Sequence, residues 1–246
     1  TAVAEQQAVD GKTVRKTWKE LVAEGVVAFT FEFGRSFLEK SLDRCWQPTP
    51  KLLLCPPGLT LPESSGPIPI ILEKGASFGT GGHPSTRLAL DGIEWAFCQQ
   101  ALVNPLAALD IGTGSGVLLI AVLKFGASSG LGIDTDPCAL REASVNLTLN
   151  GLGRRARISG MGFEKIAEPF GMVLANLRWP TIKQVLSRRD RIGLPGSYWV
   201  LSGIQAEESA EVRGLCASMG LDLCWEKVEF EWAGFVFRQM PLQEPE

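Results

Sequence analysis

The chain has 246 residues, 45% of them hydrophobic and 21% charged, with a formal net charge of −3 and a mean hydropathy of +0.11. That composition supplies an apolar core for one large domain plus a small appendage, and it excludes a disordered chain or a strongly basic, nucleic-acid-coating one. One histidine and six cysteines (45, 55, 98, 138, 216, 224) without a Cys-x-x-Cys pair exclude a zinc centre, and the scattered thiols are expected as core filler in a reducing cytosol.

Residues 1–15 are polar and alanine-rich and predict no packed element. No charged-then-apolar leader is read, the start at Thr1 without methionine leaves a trimmed start open, and the longest apolar run of the later chain, Val117 to Leu123, is far short of the roughly 20 residues of a membrane span. Thr17 to Glu24 has helical spacing through Trp18, Leu21 and Val22, with Gly25 as a stop. Val26 to Phe33 reads as a strand, and Gly34 opens a second helical segment through Phe37, Leu38 and Leu42. These pieces, 1–45, form a small α/β appendage that must dock on something larger. Residues 46–75 hold seven of the 15 prolines (48, 50, 56, 57, 62, 67, 69), with one short strand, Lys51 to Cys55. Prolines break helices and remove donors, so this stretch reads as a covering arm or linker.

The main domain is expected over 76–246. It opens with Ala76 to Thr86, a loop shaped by glycines, in which Pro84 suits the first position of a helix through Leu90, Ile93 and Phe97. His83 has two readings, as that helix's capping residue or as part of a lid; in the lid reading Phe78 and Thr86 face a ligand. Ala108 to Gly116 then reads as a buried strand, an acid (Asp110) and three alternating glycines (Gly112, Gly114, Gly116), followed by the apolar helix from Val117. Such a turn lets a ligand lie on the main chain, and the helix start adds N–H groups and partial positive charge. Gly130 to Asp134 is a second strand ending in an acid, placed to accept hydrogen bonds from ribose hydroxyls.

A dinucleotide fingerprint wants glycine where Val117 stands, and no Gly-Lys-Ser/Thr phosphate loop occurs. Asp110, two residues before the first glycine, can instead reach a cationic amino group. The Asp-x-Gly-x-Gly-x-Gly pattern resembles motif I of the S-adenosylmethionine-dependent methyltransferases.

Strand and helix then alternate. Asp136 and Pro137 start a helix that Gly151 ends, and strands follow at Arg157–Ser159, Met172–Asn176 and Tyr198–Ser202. Thr181 to Arg189 and Ala206 to Met219 are helical, and Leu221–Phe230 with Ala233–Met240 form a closing antiparallel pair. The expected fold is a doubly wound, mostly parallel, seven-stranded α/β sheet.

Three stretches occur in order: Phe78-Gly79-Thr80-Gly81 with His83, Pro84 and Thr86; Leu109 to Gly116; and Val173 to Asn176 followed by Leu201-Ser202-Gly203-Ile204. Together they resemble the PrmA family, which methylates ribosomal protein eleven of the large subunit. The likeness is strongest from Gly75 to Ile204 and reaches back more weakly to the Trp46–Pro57 arm. It implies a cytoplasmic protein N-methyltransferase that uses S-adenosylmethionine and acts on lysine side chains or an N-terminal amine, without a metal, a membrane or direct nucleic-acid contact. The family's cofactor contacts match here at Thr86, Gly112, Asp134 and Asn176; Phe78, Asp110 and Gly114 are added from their local setting.

Asn176 is also the expected catalytic residue, bridging cofactor and acceptor, with Trp179 walling the channel. The sequence departs from the family after Asn176, where Leu177-Arg178-Trp179-Pro180 replaces Ile-Leu-Ala, and Trp18 to Phe33 resembles only one helix and strand of the family's recruiting domain. Two other readings stay open: a methyltransferase for another protein or amide substrate, and a cofactor-binding module without catalysis. The oligomeric state is not legible.

Overall fold

A computed structural model describes residues 10–24, 26–32, 35–40, 44–59, 66–73, 75, 81–99 and 106–240. Helix α1 spans Gly11–Ala23, several residues earlier than its apolar spacing suggests. The cause is Asp10, whose Oδ1 accepts from the backbone N–H groups of Lys12 (2.7 Å) and Thr13 (3.2 Å). A side-chain cap satisfies donors that a helix start otherwise leaves open. Strands β1 (Val27–Glu32) and β2 (Arg35–Lys40) then pair antiparallel from Val27↔Lys40 to Glu32↔Arg35. This corrects the second helical segment expected after Gly34. Three apolar positions in so short a run fit either period, and the strand partner decides.

Strands β3 (Trp46–Thr49), β4 (Leu52–Cys55) and β5 (Ile68–Ile71) form a small sheet, with β3 antiparallel and β5 parallel to β4. The stretch expected as an arm or linker therefore carries a sheet of its own, and Leu52, Leu54, Ile70 and Leu72 from it are fully buried in the main core. Cys45 and Cys55 are joined by a disulfide, so these two are not the thiols the sequence suggested. The Trp46↔Leu54 pairing brings their neighbours face to face, a proximity that sequence spacing does not reveal. Of the other four cysteines only Cys216 is buried; Cys98 and Cys138 are exposed and Cys224 is half-buried.

The remaining elements are α2 (Pro84–Gln99), β6 (Ala107–Ile111), α3 (Val117–Phe125), β7 (Ser129–Ile133), α4 (Pro137–Leu149), β8 (Ala156–Ser159), β9 (Phe170–Asn176), α5 (Trp179–Leu186), α6 (Arg189–Ile192), β10 (Gly193–Gln205), α7 (Ser209–Ser218), β11 (Leu221–Glu229) and β12 (Trp232–Gln239). Strands β6 to β12 make one sheet ordered β11-β12-β10-β9-β6-β7-β8. Its β10-β9-β6-β7-β8 portion is parallel, while β12 runs antiparallel to both β10 and β11. The doubly wound seven-stranded sheet is as expected.

Alternation along the strands divides the core into two layers. Ala108, Met172, Leu174, Val200 and Val236 face α2 and α3. Leu109, Val173, Ala175, Leu201 and Phe237 face α5 and α7. Every residue from Val117 to Leu123 is buried, which explains a helix apolar on all sides. From β6 the sheet order advances through β7 to β8, then returns across to β9. The crevice at that reversal, outside the carboxyl ends of β6 and β9, is where such sheets bind ligands.

Candidate active site

The turn after β6 is made of main chain. Gly112, Gly114 and Gly116 have φ of 72°, 53° and 81°. The N–H groups of Gly112 and Thr113 donate to the Ile133 carbonyl at 2.9 and 3.0 Å, tying the turn to the end of β7. The left-handed φ of Gly112 favours glycine, and the Leu177 side chain leans over it, Cδ2 standing 2.5 Å from where a Cβ would be.

Asp134, just past β7, has both carboxylate oxygens oriented by backbone donors: Gly114 N–H to Oδ2 and Asp136 N–H to Oδ1, each at 3.0 Å. Each oxygen keeps capacity for a further hydrogen bond. Gly112, Gly114 and Asp134, three of the residues singled out by sequence, therefore meet in one place.

Asp110 lies beneath the turn and is 1% exposed. Its Oδ2 accepts from the Thr113 hydroxyl at 2.7 Å, and the Leu119 N–H in the first turn of α3 also favours its charge. One N–H of the helix start is thus turned toward this acid. Burial outweighs both donors and pushes the carboxyl up to about 7.

At the end of β9, Asn176 Nδ2 donates to Thr86 Oγ1 at 3.3 Å, joining two predicted residues that lie far apart in sequence. Thr86 is fully buried in the first turn of α2, where it and Arg87 both donate backbone N–H groups to the His83 carbonyl at 3.1 Å. The Ser85 N–H donates to His83 Nδ1 at 3.2 Å, so the capping role of His83 holds. Its ring also meets Trp232 edge to face at 4.7 Å. Burial, aided by the Arg87 charge, lowers the imidazole to about 4, leaving it neutral at pH 7. The Arg178 guanidinium lies 6.0 Å from the Trp232 ring centroid. Phe78 lies outside the described residues.

Trp179 needs a correction. It is 1% exposed and packs with Ile182, Val185 and Leu186 in the core beneath α5, so it does not wall a channel. A tryptophan at a helix's first turn points inward here because that helix has an apolar face to cover. Leu177, leaning on Gly112, and the exposed Arg178 border the crevice instead.

Sequence reasoning gave no role to Gly203, Asn146 or Asn150. Gly203 has φ 77°, and a Cβ there would stand 2.6 Å from the Leu177 carbonyl oxygen and 2.9 Å from Asn176 Oδ1. It lies in the break of register between Leu201 and Ile204 in the β10–β12 pairing, which gives the Asn176 side chain its room. On α4, buried Asn146 donates to the Ser115 carbonyl (2.8 Å) and accepts from Glu73 N–H (2.8 Å). Asn150, one helical turn on, exchanges hydrogen bonds of 2.9 and 2.7 Å with the Ile71 backbone. These amides clip β5 to the glycine turn; the available signal was two amides spaced i, i+4 on an otherwise apolar helix face.

The arrangement fits a ligand carrying both donors and a cation. Asn176 Oδ1, Ser202 Oγ and Asp110 Oδ1 are buried with no hydrogen bond among the described residues, and Asn176 and Ser202 are register partners across β9 and β10. Buried polar atoms of this kind are rare unless a further partner satisfies them.

A parallel sheet with this strand order, a glycine turn after β6, an acid after β7 and an amide ending β9 define the class: a Rossmann-like methyltransferase fold. A solved ribosomal protein L11 methylase from Lactobacillus delbrueckii subsp. bulgaricus has the same fold, with a TM-score of 0.71 at 24% identity over 80% of this chain and 100% of that one. A SAM dependent methyltransferase from Aquifex aeolicus matches with a TM-score of 0.50 at 18% identity, over 64% of this chain and 94% of that one.

The family profile "Ribosomal protein L11 methyltransferase (PrmA)" matches residues 39–240. A ribosomal protein L11 methyltransferase of Geobacter sp. (strain M21) is 35% identical over 179 residues, 72% of this chain and 58% of the relative. Its counterpart in Geotalea uraniireducens (strain Rf4) is 34% identical over 180 residues, 70% of this chain and 57% of the relative. The chain belongs to the ribosomal protein L11 methyltransferase (PrmA) family. It spans somewhat over half the length of these curated relatives. Among the described residues no helix is long and apolar enough to cross a membrane.

Proposed function

We propose that the chain is an S-adenosylmethionine-dependent protein N-methyltransferase of the cytoplasm, acting on amino groups of ribosomal protein L11. The observation that carries this reading is the Thr86–Asn176 hydrogen bond at the end of β9, beside the glycine turn of β6 and inside the family match.

When bound, S-adenosylmethionine supplies an electrophilic methyl group on a sulfonium centre. The chain's own part is placement. Gly112 and Gly114 offer a main-chain floor, Asp134 accepts from ribose hydroxyls, and Asp110 supplies negative charge from beneath the turn. Thr86 fixes the rotamer of Asn176, which would leave Oδ1 to accept from an incoming amine and orient it beside the bound cofactor.

A lysine with a reference pKa of ~10.4 must lose a proton before it can attack, and exclusion from water favours that loss. His83, held near 4 by burial, is too weak a base to keep the proton at neutral pH, so the proton passes to water.

The test is intact-mass analysis of unmethylated L11 after incubation with the purified chain and S-adenosylmethionine. Added multiples of one methyl group are expected. An unchanged mass with bound cofactor contradicts the reading, and label on a different protein keeps the chemistry but moves the acceptor.

A further inference from the structure

Glu229 pairs with Trp232 across β11 and β12, so Phe230 and Glu231 are the two central residues of a hairpin turn. Among the described residues Phe230 is the one non-glycine with a positive φ, at 53°. It is also 79% exposed, more than any other large apolar side chain described. A two-residue hairpin with positive φ at its first central position prefers glycine, because a Cβ there crowds the backbone. Phenylalanine adds the unfavourable hydration of a bare ring. At that exposure, packing within the chain offsets little of either cost.

The turn itself is firmly held. Arg87 Nε donates to Glu229 Oε1 at 2.9 Å, and Ala206 N–H donates to the Glu231 carbonyl at 2.8 Å. Trp232 lies against His83, the cap of the helix that carries Thr86. The anchors on both sides of Phe230 thus fix its backbone at the carboxyl edge of β10, where Thr86 meets Asn176. Two residues of chain, at most ~7 Å, separate Phe230 from Trp232. Strain that surrounding structure maintains at the rim of a site points to use there.

We infer that Phe230 is a docking residue for the methyl-acceptor protein, its ring seating against an apolar side chain beside the amine that enters toward Asn176. The inference rests on the protein-methyltransferase reading above. Continuity with the Trp232–His83 rim selects this occupant: Phe230 stands two residues from Trp232, whose ring packs on the cap of the helix that carries Thr86. A small-molecule acceptor would leave a ring that stands out into solvent uncovered.

The test compares wild type, Phe230→Gly and Phe230→Leu in methyl transfer to unmethylated L11 over a range of L11 concentrations. Cofactor Kd, melting temperature and molecular mass in solution are measured alongside. Phe230→Gly is expected to raise KM for L11 about ten-fold, with kcat and cofactor Kd within about two-fold of wild type. It should also melt about 2–4 °C higher, because glycine takes this φ without steric cost. Phe230→Leu should restore most of the KM and none of the gain in melting temperature.

An unchanged KM, or a lower melting temperature for Phe230→Gly, overturns the inference. So does a wild-type dimer that Phe230→Gly converts to a monomer, which would assign the ring to self-association. A wild type that leaves L11 unlabelled removes the functional reading and this inference together. An active wild type with an indifferent Phe230 removes the docking role alone.

Discussion

Along the β6–β7 edge the ligand surface is main chain, whereas along the β9–β10 edge it is side chain. On the first edge, Gly112 and Gly114 adopt left-handed backbone, and the Gly114 N–H helps to orient Asp134. The glycine conformations are local, and the turn reaches Asp134 across the pairing of two neighbouring parallel strands. On the second edge, Thr86, Asn176, Gly203 and Trp232 arrive from four separate elements, and their geometry depends on how those elements pack. The first edge resists change at a few particular glycines and acids and tolerates it elsewhere. The second can alter its acceptor through single side chains, and Leu177 and Arg178 border it.

The largest effect is expected at the boundary between rim and core. Trp179→Ala should destabilise the protein by about 3–5 kcal/mol, the usual cost of deleting a buried large aromatic. Urea unfolding measures this, with cofactor affinity of the folded fraction unchanged. Near-wild-type stability together with a selective loss of turnover would return Trp179 to the rim.

A smaller effect sharpens the main-chain edge. Burial holds Asp110 at about 7, and a cationic amino group near it favours the ionised form. Binding therefore releases a proton, so affinity strengthens with rising pH and weakens by up to about ten-fold per unit below about 7. For folding, the pKa is raised above the ordinary 3.8. The stability contribution present below that value is lost as pH rises toward about 7. Calorimetry in two buffers with different ionisation heats detects the released proton, and Asp110→Asn should flatten the binding profile. A wild-type Kd that does not change with pH removes Asp110 from cofactor recognition.

The main sheet was legible because its signals are periodic and local. Glycines punctuate the β6–α3 turn, and β9 and β10 carry continuous apolar runs that only a sheet covered on both faces requires. The strand β2 was read as helix because its pairing partner, not its own spacing, decides. Trp179 was misplaced because position after Asn176 does not give the direction of a side chain at the start of α5. Gly203, Asn146 and the Cys45–Cys55 bridge were illegible for one shared reason: each acts on a segment distant in sequence or through a register that only the paired strands define.

The most direct test of the division between the two edges is Asn176→Ala, measured for cofactor binding and for turnover on the same preparation. A cofactor Kd within about ten-fold of wild type and a kcat at least roughly 100-fold lower are expected if this amide positions the acceptor more than it holds the cofactor. Equal losses in Kd and kcat would make Asn176 part of the cofactor cradle alone, and an unchanged kcat would remove it from the reaction.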